Sequence, residues 1–210
     1  MRLQQFITEE HNTNDPQEIV SILRKDCSDY IKNKPHGHYY IYRGASLPYN
    51  TIFKKKISRK NRKPKDMPEE VHEYLNKEFK KAFGWDVRSE GVFCTGDSNE
   101  AEGYGVSYCM FPSNGFKVIY SGVVNDLLLY FENMVHVVTP SDSFSSSWHA
   151  RENWEENIKS FDVKKLYKQG GPKDIDKALY TGNEMVIKCK FYYLVRPTFV
   201  YSYKDDIFEA

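Results

Sequence analysis

The stretch NEMVIKCKFYYLVRP, residues 183–197, is the most strand-like piece of the chain. Its β-branched and aromatic residues suit a pleated, packed surface. Alternation of apolar and polar positions is only partial, and Pro197 ends it by removing a ladder donor. TFVYSY (198–203) reads as a further strand. Working back from this segment, GVFCTG (91–96) reads as a short strand running into a loop. VSYCMF and FKVIYS read as two strands joined by the turn Pro112-Ser113-Asn114-Gly115. HYYIYRG (38–44) is another strand, stopping at Arg43-Gly44.

Helices dominate the first part. Asp15 can cap a helix reaching Lys32, with Pro16 in its first turn and an apolar stripe through Ile19, Ile22, Leu23, Cys27, Tyr30 and Ile31. A second amphipathic helix begins at DMPEE, with Pro68 in its first turn and Val71, Leu75, Phe79 and Phe83 on its buried face. SNEAEGYG is a candidate short helix capped by Ser98, VNDLLLYFENMV is another helix, and KQGGPKD (168–174) signals a loop. Trp148, His149 and Trp154 fall in a polar stretch and read as satellite core. These elements predict one α+β domain over residues 1–210, with helices first and mostly strands after.

Composition narrows the function. The 210 residues carry 30 Lys+Arg against 29 Asp+Glu, for a net charge of +1, so the chain as a whole is no basic nucleic-acid sponge. A 40% hydrophobic and 15% aromatic content belongs to a folded chain. Mean hydropathy is −0.67, and no apolar run approaches membrane-spanning length. The opening residues MRLQQFITEEHN are too polar for a secretory signal. Cys27, Cys94, Cys109 and Cys189 are scattered without a CxxC pair, and the six histidines show no ligand spacing. Reduced thiols in a cytosolic protein and no metal site are the expectation.

Three strand ends carry unusual residues. In Tyr42-Arg43-Gly44, a guanidinium at a strand end can grip two phosphate oxygens, and glycine permits close approach. Taken alone, such an arginine more often just ends an ordinary strand. In Phe93-Cys94-Thr95-Gly96, a strand delivers a hydroxyl ahead of a short helix bearing Tyr104, a wall for a flat ligand. A strand–turn–helix with Phe93 and Tyr104 in the core is the plainer alternative. In Gly182-Asn183-Glu184, a carboxylate opens a rigid strand beside a glycine-rich loop, good placement for catalysis, though an exposed glutamate at a strand start is common.

Arg43, then Thr95, then Glu184 at the front of a late strand resembles the Arg-Ser-Glu class of ADP-ribosyltransferases. Tyr-Arg-Gly matches the family's first core strand, and Glu-Met-Val-Ile resembles its Glu-Val-Leu-Leu. The EGVFCTGDSNEAEGYG segment is similar to the G-x-x-F…A-x-x-Y arrangement of poly(ADP-ribose) polymerase relatives. The match spans roughly residues 38–195, with a helical region at 1–37 ahead of a catalytic core at 38–210. It departs from the family where Cys94-Thr95-Gly96 replaces Ser-Thr-Ser, and where Gly182 stands in place of an acceptor-side Glu or Gln.

The resemblance implies a split, mixed β-sheet flanked by helices. It implies NAD+ as substrate, no metal, and transfer of ADP-ribose to a protein or nucleic acid with release of nicotinamide. In that scheme Glu184, Arg43 and Thr95 are catalytic, and Arg43, Gly44, Phe93, Thr95, Gly96 and Tyr104 bind the dinucleotide. Tyr104 stacks nicotinamide, and Tyr180 and Gly182 position the acceptor. Bacterial toxin-system and phage relatives place such an enzyme in a bacterial cytoplasm, with a neutralising partner protein possible and no membrane.

The segment KKKISRKNRKPK (54–65) has eight Lys or Arg in twelve residues. It opens an alternative, a non-enzymatic RNA- or DNA-binding module, although few aromatics accompany it. A solvated loop balanced by the acidic helix at 69–78 is the commoner explanation of such a run. A degenerate family member serving structurally is the third reading.

Overall fold

The computed structural model describes residues 13–35, 37, 39–64, 67, 69–127, 129, 130 and 161–209. Readings placed on 131–160, Trp148, His149 and Trp154 among them, lie outside the described residues, as does Pro68.

Helix α1 (Pro16–Asp26) starts as the sequence predicts. The Asp15 carboxylate accepts from the Gln17 amide at 3.0 Å, and Pro16 needs no donor in the first turn. The expected single helix breaks at Cys27, and α2 (Ser28–Asn33) follows on a new axis. The break lets Tyr30 sink fully into the core, where its hydroxyl accepts the Ile41 amide at 3.2 Å. The remaining elements are β1 (Tyr42–Ala45), β2 (Phe53–Ile57), α3 (Glu69–Phe83), α4 (Val87–Glu90), β3 (Val92–Thr95), α5 (Ser98–Glu102), β4 (Val106–Pro112), β5 (Lys117–Tyr120), α6 (Val163–Leu166), β6 (Lys168–Gly170), α7 (Ile175–Tyr180), β7 (Glu184–Lys188), β8 (Phe191–Val195), α8 (Pro197–Ser202) and α9 (Lys204–Phe208).

The architecture is α+β. Eight strands form one sheet in the order β2-β8-β4-β1-β3-β7-β5-β6. All its described ladders are antiparallel, which corrects the expectation of a mixed sheet. One junction is thin: β1 and β3 share the single pair Tyr42↔Thr95, whereas every other ladder has at least three. The sheet therefore consists of two half-sheets hinged at one register pair.

Four further expectations are corrected. β4 and β5 are not a hairpin: β4 pairs with β1 and β8, β5 with β7 and β6. The turn between them spends its hydrogen bonds elsewhere. The Asn114 amide donates to the Asp26 carbonyl at 2.9 Å and the Gly115 amide to the Asp29 carboxylate at 2.7 Å. This anchoring on the α1–α2 junction sends the two strands into different half-sheets. Residues 198–202 are helical rather than extended, because Pro197 serves as the first residue of α8 and Phe199, Val200 and Tyr203 pack into the core at helical spacing. Asp97 rather than Ser98 caps α5, accepting from the Asn99 amide at 2.8 Å. The front of the basic run is not a loop but edge strand β2, paired with β8 through Lys54↔Leu194, Lys55↔Tyr193 and Lys56↔Tyr192. The lysine stems lie on aromatic surface, with Lys55 Nζ 4.2 Å from the Phe191 ring centre.

Partial alternation in 184–195 has its cause in the packing. Met185 and Ile187 face a cluster with α1, α2, α8 and α9, while Val186 faces a second cluster built on Val71, Leu75 and Phe79 of α3. A strand covered on both faces has no polar side to show. Leu194 is 1% exposed at the centre of its half-sheet. Leu194→Ala should lower unfolding free energy by about 2–5 kcal/mol, while exposed Tyr180→Ala should stay within about 0.5 kcal/mol, both read by denaturant titration.

Candidate active site

The hinge between the half-sheets opens into a cleft of about 530 Å³. Arg43 from β1, Thr95 from β3 and Glu184 from β7 all line it, with Gly44, Phe93, Tyr104 and Gly182. Residues about fifty and ninety positions apart are thus brought to one wall. Register explains it: Thr95 pairs with Tyr42 on one side and with Glu184 on the other.

Arg43 reaches across the hinge, its Nη1 donating to the Phe93 carbonyl. One of its donors is therefore spent joining the half-sheets, and its guanidinium lies 6.0 Å from the Tyr192 ring centre. Gly44 has a packing reason: a Cβ there would sit 2.1 Å from the Ala101 carbonyl oxygen, so glycine lets α5 close onto β1. Thr95 Oγ1 donates to the Gly182 carbonyl at 2.9 Å and accepts the Asp97 amide at 3.1 Å. The hydroxyl thus fixes the loop that presents Glu184 rather than bonding Glu184 itself. Gly182 adopts φ +68°, a left-handed turn that suits glycine.

Glu184 is held at the strand start by its own amide, which donates to the Asn125 carbonyl at 3.0 Å. Its carboxylate lies 3.9 Å from Arg88 Nη1, with both side chains largely buried. Burial pushes the Glu184 pKa up to about 7; Asp126 adds to the rise, and Arg88 and Arg62 oppose it. Burial outweighs the two arginines because even Arg88 stands 3.9 Å off, too far to replace the lost water with a hydrogen bond.

Tyr104 lies at the mouth, 67% exposed, with its hydroxyl donating to Asp126 at 3.0 Å. Two expected site residues sit elsewhere and do not line the cleft. Tyr180 is 60% exposed and packs edge-on against Tyr39 with ring centres 4.9 Å apart. Gly96 lies beneath α7, where a Cβ would come 2.7 Å from the Leu179 carbonyl oxygen. Cys94 is buried, and burial drives its thiol far from ionisation.

Among the cleft residues that the sequence does not single out, three basic ones stand beside the acidic Asp97, Glu100 and Asp126. Arg62, from the end of the basic run, and Arg88, from α4, lie over the Phe93 ring at 4.2 and 4.7 Å. Burial, then the neighbouring cations Arg88 and Arg43, lower the Arg62 pKa, while Glu184 opposes the shift. His72 of α3 bonds Ser89 Oγ at 3.1 Å, and its pKa is lowered by burial, then by Arg88 and Arg62. His72 Nδ1 and Arg88 Nε are buried without a hydrogen-bond partner among the described residues. Asn76 supports this corner, its Oδ1 accepting the Arg88 amide at 2.8 Å. A signal existed in α3: His72 and Asn76 are buried polar residues one position beyond the apolar Val71 and Leu75. No comparable mark distinguishes Arg88.

No protein-family model, no curated protein and no solved structure matches the chain. Among the described residues, no cluster of three or more His, Cys, Asp and Glu could hold a metal ion, and no helix is long and apolar enough to cross a membrane.

The raised Glu184 pKa makes a stability prediction. Between the unfolded carboxylate pKa, near 4.3, and about 7, the folded state binds more protons than the unfolded one. Stability is therefore full below the lower value and falls as pH rises through the upper one. The loss is on the order of 3 kcal/mol, at about 1.4 kcal/mol per unit. Glu184→Gln should remove this loss, leaving the variant more stable than the native chain at pH above about 7. Unfolding midpoints followed against pH check it; parallel profiles for the two proteins would contradict the assignment of the buried carboxylate.

Proposed function

We propose that the cleft binds NAD+ and transfers its ADP-ribose to a macromolecular acceptor, releasing nicotinamide. The observation that carries this reading is the convergence of Arg43, Thr95 and Glu184 on one wall, at the junction of two half-sheets. The three were picked out by their order along the chain, and nothing in that order alone requires them to meet.

The chemistry follows from the charges. Cleaving the bond between nicotinamide nitrogen and ribose C1′ leaves positive charge on the ribose, and nicotinamide departs with the bonding electrons. A fixed carboxylate in a water-poor site stabilises that charge more than it stabilises the neutral ribose of the ground state. Glu184 occupies this role. The dianionic pyrophosphate is matched by Arg43 and Arg62, whose guanidinium forks suit phosphate oxygens. Tyr104 offers a ring at the mouth for nicotinamide, and Thr95 acts as a positioning residue through Gly182. A cleft of about 530 Å³ falls within the ordinary range for small-molecule sites.

With the purified chain and NAD+, nicotinamide release should fall by at least about 10²-fold in Glu184→Gln, the scale of losing one preorganised polar group. In the native chain kcat/KM should rise about tenfold per pH unit below about 7 and level off above it, because only ionised Glu184 of the free protein stabilises the ribose cation. Undiminished release by the variant would end this reading.

A further inference from the structure

The basic run is not spread over the surface at random. Between Asp29 and Asp66 the chain has eleven Lys and Arg and no Asp or Glu, while the whole chain is only +1, so the remainder is net acidic. The fold turns this segregation into a track. β2 is the outer edge of the sheet, and Lys56 stands opposite Tyr192 in the register. The Tyr192 ring lies 6.0 Å from the Arg43 guanidinium. Register places Lys54 and Lys56 on the same sheet face as Arg43, through Leu194↔Met110 and Tyr108↔Arg43. Beyond the strand, Arg59 and Lys60 are exposed, and the segment then turns into the cleft, which Arg62 and Pro64 line. The Arg62 amide donates to the Ser89 carbonyl at 3.0 Å, which fixes this entry.

Among the described residues, Lys63 of the run pairs with Glu69 of the acidic helix, while Glu78 of that helix is taken by Lys81. Lysines on an edge strand also guard against strand addition, yet that need ends with the strand at Ile57 and does not account for Arg59, Lys60 and Arg62. A protein acceptor would be met by mixed charge along the segment; Lys56, Arg59, Lys60 and Arg62 instead lead to the edge of a cleft where Asp97, Glu100 and Asp126 also stand, and such a cationic approach fits a polyanion. Tyr49, 93% exposed just before β2, supplies a ring on which a base can stack.

We propose that the acceptor is a single-stranded nucleic acid whose phosphates lie along residues 54–63, an assignment that rests on the transferase reading above. A nucleophilic oxygen or nitrogen of the strand forms the new bond to ribose C1′ as nicotinamide leaves, and the proton that the nucleophile loses passes to the Glu184 carboxylate. A single strand is required because a base inside a duplex cannot reach into a cleft of this kind without being extruded.

The test uses the full chain and a variant neutralised outside the cleft, Lys56→Gln/Arg59→Gln/Lys60→Gln/Lys63→Gln. Binding of short fluorescent single strands of RNA and of DNA is measured by anisotropy across a salt series, with a duplex as the third arm. The native chain should bind at least one single strand more tightly than the duplex. The variant should bind at least about tenfold more weakly, with a slope of log affinity against log salt shallower by about 3, near 0.7 for each phosphate that no longer meets a cation. Nicotinamide release without acceptor should be unchanged in the variant, while transfer of labelled ADP-ribose to the strand falls. Should the variant misfold, salt-independent binding by the native chain is sufficient to overturn the assignment. Equal binding by both proteins with release intact, or label passing to proteins instead, also overturns it. Absence of nicotinamide release from the native chain refutes the transferase reading itself, a separate result.

Discussion

A single backbone pair, Tyr42↔Thr95, joins the two halves of the sheet. Ladders of three or more pairs make a sheet continuous; one pair makes a hinge line beside which the strands diverge. Divergence opens the cleft, and the side chains of Arg43, Thr95 and Glu184 line it although their backbones remain in the ladders. Arg43 reinforces the hinge by donating to the Phe93 carbonyl on the far side. The same guanidinium thus serves the fold and faces the ligand space, and Arg43 substitutions will disturb both. Thr95 has the same double character, since its hydroxyl ties β3 to the Gly182 loop from which Glu184 emerges. Positions of this kind are poor probes of chemistry. Glu184, whose carboxylate lies 3.9 Å from the Arg88 guanidinium, is the cleaner one.

What could be read in advance follows the range of the interactions involved. The α1 cap is local, since Asp15 reaches an amide two residues away, and it was legible. So was the apolar stripe of α3, whose periodicity needs no partner. The strand-end motifs were legible as types, because Arg before Gly and Glu before an apolar run are unusual in themselves. The splitting of β4 from β5 was not, because it depends on hydrogen bonds from Asn114 and Gly115 to Asp26 and Asp29, the second of them spanning 86 positions. Strand β2 was hidden by its charge: three consecutive lysines oppose strand formation unless aromatic surface such as Phe191 is there to carry their stems. Arg88 was invisible because α4 is one turn long, and only packing of Asn76 against its amide aims it at Glu184. Gly44 and Gly96 were legible as glycines, but the packing that requires them was not, and of the two only Gly44 lines the cleft. Helices α5 and α7, not a ligand, occupy the space a Cβ would need.

The positive charge of the cleft is divided by distance and by support. Arg88 lies beside Glu184 and is anchored by Asn76, so its charge is committed to keeping that carboxylate ionisable. Arg62 is carried by the basic segment and lies over Phe93, and Arg43 spans the hinge. On the transferase reading proposed above, a pyrophosphate bound to Arg88 would cancel the cation that opposes burial at Glu184 and raise its pKa further, keeping protonated the group assigned to the ribose cation. Phosphates bound to Arg43 and Arg62 leave the Arg88–Glu184 pair intact. For the dinucleotide proposed above, this arrangement would favour one direction of entry, phosphates toward β1 and the basic segment, ribose toward β7. In the proposed complex that orientation would bring the reacting carbon to the carboxylate, with the cationic segment in line with the phosphates behind it.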